Sequence, residues 1–190
     1  MDGETDDFPA PLSEEYLRAH TIGEPAKLSA PIRLVEYDAA WPLRFEDEAA
    51  KIRAALKGRA LRVEHVGSTA VPGLPAKPVI DIVLVVADSA DEAHYVPQLE
   101  AGGYRLRIRE PEWHEHRMFH DAVESVNLHV FSSGCPEVEL MLTFRDRLRS
   151  SGAARDLYAR MKRELAARQW QYMQNYADAK TAVVRKILSA

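Results

Sequence analysis

With 190 residues and a single cysteine, Cys135, the chain is long enough to bury one core and has neither an intrachain disulfide nor a thiolate metal cluster. Its 25 Lys and Arg against 29 Asp and Glu give a formal charge of −4, which excludes general coating of nucleic acid through a net basic surface but leaves room for a local basic pocket. No apolar run approaches the roughly 18 residues of a membrane span, and the acidic start (Asp2, Glu4, Asp6, Asp7) is unlike a secretory signal, so neither a membrane nor a nucleic acid is an expected partner and a reducing, cytoplasmic setting is the expectation.

Positions 1–11 are acidic, proline-bearing and aperiodic, as a mobile tail would be. Ser13 followed by Glu14 and Glu15 suits the start of a short helix, and positions 23–31 read as a loop. Residues 1–30 are therefore expected to form a partly disordered extension, with one domain over 31–190. Positions 32–37 alternate as an edge strand would. Trp41-Pro42 opens a helix with Phe45, Ala49, Ile52 and Leu56 on one stripe, which Gly58 is expected to end.

The centre of the chain is the stretch 63–86. It reads as strand, tight loop and strand, with Gly67-Ser68-Thr69 at the turn, Lys77 in a loop stiffened by Pro75 and Pro78, and Asp81 leading an otherwise apolar run. That run, 80–86, has the character of a central strand covered on both faces. A helix is expected over 88–103, with Pro97 marking either a late start or a kink, and three short strands over 104–108, 118–123 and 126–131. From Pro136 onward the spacing is helical, and Leu157, Met161 and Leu165 are expected in the core. The order predicts an α/β (α+β-like) domain: a small mixed, largely antiparallel sheet, flanking helices and a helical C-terminal part.

Gly67 and Ser68 after a strand can grip a phosphate, because glycine admits close backbone approach and the hydroxyl adds a donor. Lys77 supplies a fixed cation. Asp81 at the head of an apolar strand costs desolvation unless it is paired or binds a metal. Arg145, Lys162 and Lys180 would rim an anion pocket if the C-terminal helices pack over the loop; a solvated, salt-bridged face is the bland alternative for Arg145. His114, His116 and His120 cluster in sequence and raise a weaker alternative, a zinc-dependent hydrolase.

The run from His65 to Leu74, with Ala76-Lys77-Pro78-Val79-Ile80-Asp81-Ile82, is similar to the hallmark of the GrpB family, within the nucleotidyltransferase superfamily. Asn127-Leu128-His129-Val130-Phe131, the run from Phe144 to Arg149, and Tyr158, Lys162, Tyr176 and Lys180 resemble that family too. The resemblance implies a nucleotidyltransferase-like fold and a phosphorylated small molecule or nucleotide as partner, with Mg²⁺ or Mn²⁺ as the metal of a transfer reaction and Asp81 and His129 as its catalytic pair. Relatives fused to dephospho-coenzyme A kinase imply a link to coenzyme A metabolism. Arg117 resembles a family arginine that grips an anion. The superfamily places a second acid two residues after the first, where this chain has Val83, so the metal set available is Asp81 and His129 with His65. That depletion motivates the alternative of a non-catalytic module binding a nucleotide or coenzyme A-related compound.

Overall fold

The computed structural model describes residues 12–189, so the expected tail at 1–11 lies outside the described residues. Five strands, β1 (Arg62–Val66), β2 (Ile80–Val86), β3 (Tyr104–Glu110), β4 (His116–Asp121) and β5 (Val126–Ser132), form one sheet in the order β1-β2-β5-β4-β3. The β2 and β5 strands run parallel and the other three pairings are antiparallel. The mixed, largely antiparallel sheet expected from the sequence is the one observed.

Side chains alternate across a strand, so β2 divides its residues between two layers. Ile80, Ile82, Leu84 and Val86 enter the core under α2 (Trp41–Leu56) and α3 (Val96–Ala101). Trp41, Phe45, Ala49, Ile52 and Leu56 of α2 are all buried there, as their spacing predicts. On the other face Val83 and Val85 pack with Val66, Phe131 and two residues of α4 (Pro136–Ser150), Val138 and Leu142. Asp81 opens toward this second face at its bare end.

The C-terminal helices α5 (Gly152–Ala166), α6 (Met173–Asp178) and α7 (Thr181–Ser189) follow α4. Val71 and Leu74, from the loop after β1, are buried among Leu148, Tyr158, Ala159, Val183 and Ile187. Burying each of those two loop side chains contributes roughly 1.5–3 kcal/mol, and it seats the loop against the helices. Leu165 is fully buried, while Leu157 and Met161 pack at the core's edge.

Three expectations are corrected. Positions 32–37 form no strand: Val35 alone bridges Ala76, because the loop offers one residue rather than a ladder. The helix expected over 88–103 is only α3, preceded by a 3₁₀ turn at Glu92–His94. Pro97 lacks an N–H and fits only the first turn, so it places the start there. Lys57, at φ +54°, ends α2 in place of Gly58.

Residues 12–30 lie against the domain. Ser13 caps α1 (Glu14–His20) by accepting from the Tyr16 N–H at 3.1 Å. Thr21 bridges Ile108 of β3, Lys27 bridges Tyr172, and the Asn175 side chain of α6 donates to the Leu12 carbonyl at 3.3 Å. Among the described residues no helix is long and apolar enough to cross a membrane.

Candidate functional site

The turn after β1 holds Gly67 at φ +68°, ψ −169°, a backbone conformation essentially reserved for glycine. A Cβ there would lie 2.3 Å from Asp81 Oδ2 and 2.9 Å from Asp81 Cβ. Only glycine lets the loop rest on the carboxylate, which brings the two halves of the signature together. Ser68 then begins a 3₁₀ turn, Ser68–Ala70.

Lys162 of α5 reaches down to this turn. Its ammonium donates to Ser68 Oγ at 2.9 Å and to the Pro75 carbonyl, and it lies 5.0 Å from the Tyr158 ring centroid. Only 2% of Lys162 is exposed. Burial first, then repulsion from Lys180, pushes its ammonium down to about 7, against the attraction of Asp81. Lys180, 4.9 Å from the Tyr176 ring, and Lys77, against Met173 Sδ at 3.0 Å, are also lowered, first by burial and for Lys77 then by Lys180.

Asp81 Oδ1 accepts from the Asn127 amide at 2.8 Å across the parallel β2/β5 pair. Burial raises its carboxyl, opposed by that hydrogen bond and by Lys180, Lys77 and Lys162. Three lysines thus act on Asp81, with Asp178 also acting on Lys180, and among the described residues no carboxylate oxygen lies within 4 Å of any of the three ammoniums. Buried positive charge without a paired anion is costly.

His129 lies on the same face as Asp81, in register with Val83. Its Nδ1 is 3.0 Å from His116 Nε2, and His116 Nδ1 is 2.7 Å from Glu110 Oε2. A carboxylate can only accept, so His116 carries its proton on Nδ1. While His116 is neutral its Nε2 must accept, which puts the His129 proton on Nδ1 and leaves a lone pair on Nε2. Burial, then His116 and His120, pushes His129 down to about 3. It is a neutral acceptor at ordinary pH.

Other expected residues are not brought here. His65 is in register with Ile82, on the opposite face of the sheet, stacked on Phe45 at 4.7 Å. It cannot join Asp81 in a ligand set. Thr69 is 1% exposed, and its hydroxyl is engaged with His65 Nε2 at 3.1 Å and the Val79 carbonyl at 3.3 Å. Arg117 is buried against Glu92 at 2.6 Å and Glu115 at 3.3 Å. Arg145 pairs with Glu64 at 2.9 Å and Asp146 at 2.7 Å at the β1 edge. The sequence reading missed Glu110, His116 as a partner of His129, and Asn127 as a partner of Asp81; the register between strands joins them.

The residues do not fit a metal centre: among the described residues no three His, Cys, Asp or Glu side chains are placed to hold an ion. Val83 explains part of this, because the position of the superfamily's second acid is fully buried in the apolar cluster beneath α4. The zinc set imagined at His114, His116 and His120 does not assemble either; His116 is committed to Glu110 and His129.

A mixed sheet of this order, with a glycine-serine turn after its first strand and an acid on the next, defines a nucleotidyltransferase-like fold. The chain is similar to the Cid1 poly(U) polymerase, with a TM-score of 0.50 and 12% identity over 82% of this chain and 46% of that one, a likeness of fold. It is closer to a crystal structure of the conserved protein GrpB from Enterococcus faecalis, with a TM-score of 0.73 and 30% identity over 83% and 95% of the two chains. The family model described as GrpB protein matches residues 31–190, and the chain belongs to the GrpB family. A UPF0157 protein of Halalkalibacterium halodurans is 55% identical, covering 94% of this chain and 91% of that protein. A dephospho-CoA kinase of Mycolicibacterium paratuberculosis is 33% identical over 79% of this chain but only 43% of its own length.

Proposed function

We propose that this protein binds a phosphorylated small molecule, a nucleotide in the first instance, in the recess between the Gly67-Ser68 turn and the C-terminal helices. One observation carries the reading: buried Lys162 donates to Ser68 at 2.9 Å while Lys77 and Lys180 also act on Asp81, none of the three with a carboxylate in ion-pair reach among the described residues. The lysines take the charge-neutralising part that metal ions play in two-metal sites. Ser68 and the turn's backbone would hold phosphate oxygens. Asp81, tethered by Asn127, orients the lysines and would accept from a ligand hydroxyl.

A second reading, nucleotidyl transfer, is favoured by neutral His129 on the face of Asp81, whose imidazole can accept a hydroxyl proton. Titration with ATP, ADP and dephospho-coenzyme A, each with excess EDTA and with Mg²⁺ or Mn²⁺, tests both readings. Binding that survives EDTA and weakens at least tenfold in Lys162→Met is the expected result. Failure of all three to bind, or binding indifferent to Lys162→Met, overturns the proposal. A metal-dependent product that disappears in Asp81→Asn would establish transfer.

A further inference from the structure

Behind the phosphate turn, at the β1 edge of the sheet, an open cleft of about 610 Å³ is lined by Arg145, Arg149 and Arg155 together with Tyr37, Pro42 and Pro72. Its floor is the Phe45–His65 stack, whose rings lie 4.7 Å apart and nearly parallel at 8°. The lining of this cleft shares no residue with the group of Ser68, Asp81 and the three lysines.

The three arginines differ in how their charge is met. Arg145 is satisfied by Glu64 and by both oxygens of Asp146, at 2.7 and 3.1 Å. Arg149 donates through Nε to the Ala70 carbonyl at 2.9 Å and has only a loose 3.6 Å contact with Asp146, which Arg145 already occupies. Arg155 donates to the carbonyls of Leu148 and Arg149, at 2.9 and 3.0 Å, at the end of α4. Among the described residues no carboxylate pairs with it within 4 Å. Two guanidinium groups in excess therefore flank an aromatic and proline wall. The carboxylates in the lining do not balance them: Glu64 is held by Arg145 and Arg62, and Glu46 stands exposed at the rim.

We propose that this cleft is a second binding site, which takes an oxyanion, phosphate or carboxylate, carried on a flat apolar ring. The anion meets Arg149 and Arg155, where a planar guanidinium can offer two parallel donors. The ring lies against Tyr37, Pro42 and Pro72. Burial and the neighbouring Arg145 charge push Arg149 below its ordinary value, so the unliganded cleft carries electrostatic strain that an anion relieves. Through Arg149 and the Ala70 carbonyl, the occupant touches the same turn that presents Ser68 to the recess.

Phenyl phosphate is the probe, followed by amide chemical-shift mapping on the full chain, with benzoate, inorganic phosphate and phenol beside it. Phenyl phosphate and benzoate are expected to shift amides at positions 70, 71 and 145–155, and the ratio of their affinities separates a phosphate from a carboxylate site. Phenol should bind at least tenfold more weakly. The Arg149→Gln/Arg155→Gln double variant should lose at least tenfold in affinity, whereas Asp81→Asn should bind at this cleft unchanged, which separates this site from the recess. Glu46→Gln, an exposed rim change, should tighten phenyl phosphate two- to threefold. Shifts confined to the surroundings of Asp81, equal binding of phenol, or no tightening in Glu46→Gln would overturn the proposal, the last even if the double variant does not fold.

Discussion

The depressed ammonium of Lys162 makes anion affinity in the recess fall as pH rises through neutrality. In the free protein Lys162 titrates at about 7 because all but 2% of it is removed from water with no paired carboxylate. An anion beside it favours the charged form, so the complex holds a proton that the free protein releases above pH 7. The fraction of free protein ready to bind falls from about nine-tenths at pH 6 to about one-tenth at pH 8, which gives a roughly tenfold loss of affinity, or ~1.4 kcal/mol. Sulfate is the suitable ligand, since it does not titrate in this window, and calorimetry in two buffers of different ionisation enthalpy reads both the affinity and the proton taken up. About half a proton per sulfate is expected at pH 7 and nearly a whole one at pH 8. Lys162→Met should bind more weakly at pH 6 and change less than about twofold between pH 6 and 8. An affinity in the native protein that is flat across that range, or a tenfold loss that survives in Lys162→Met, would refute the reasoning.

Four further outcomes are expected. Gly67→Ala combines a glycine-only conformation with a Cβ 2.3 Å from Asp81 Oδ2, so denaturant unfolding should show a loss of at least about 3 kcal/mol; a loss below about 1 kcal/mol would mean the turn does not rest on Asp81. His65 is pushed down to about 4 from 6.5, first by burial. The unfolded chain binds its proton first, so stability contributed by neutral His65 is lost as pH falls from about 6.5 to 4, by about 3 kcal/mol; His65→Phe should flatten that limb, and an unchanged acid limb counts against it. Nitrogen-15 spectra should show His129 Nε2 unprotonated at neutral pH and a mixture of tautomers in Glu110→Gln; a protonated Nε2 in the native protein contradicts the hydrogen-bond order. Val83→Asp should cost several kcal/mol in unfolding, because it places a carboxylate in the apolar cluster under α4, and a stable variant that gains Mn²⁺ binding would contradict that account.

What the sequence revealed was local and periodic. The alternation of β5 and the stripe of α2 are set by which layer each residue enters, so their apolar spacing is legible in one dimension. Pro97 was legible as a late start or a kink, and the structure takes the late start, with Pro97 in the first turn of α3. The gathering of Ser68, Lys77, Asp81, Lys162 and Lys180 followed once the C-terminal helices were taken to lie over the turn. Arg117 and Arg145 were misplaced because a cation's position in a sequence does not show which carboxylates it will meet; Glu92 lies 25 residues from Arg117, and Glu64 lies 81 from Arg145. His65 was misplaced for a different reason. Whether it shares a face with Asp81 depends on the register of β1 against β2, which pairs it with Ile82. The Glu110, His116 and His129 line needs two such registers at once.

Residues 12–30 lie ahead of the family-matched region, yet they fasten the sheet edge at Ile108 to Tyr172 and Asn175, the segment leading into α6. That segment also carries Met173, against which Lys77 rests, and runs on to Lys180. The strap is thus a hasp on the roof of the recess. Loosening it would loosen the segment that carries Met173 and leads to Lys180, so the strap bears on two of the three lysines without touching either.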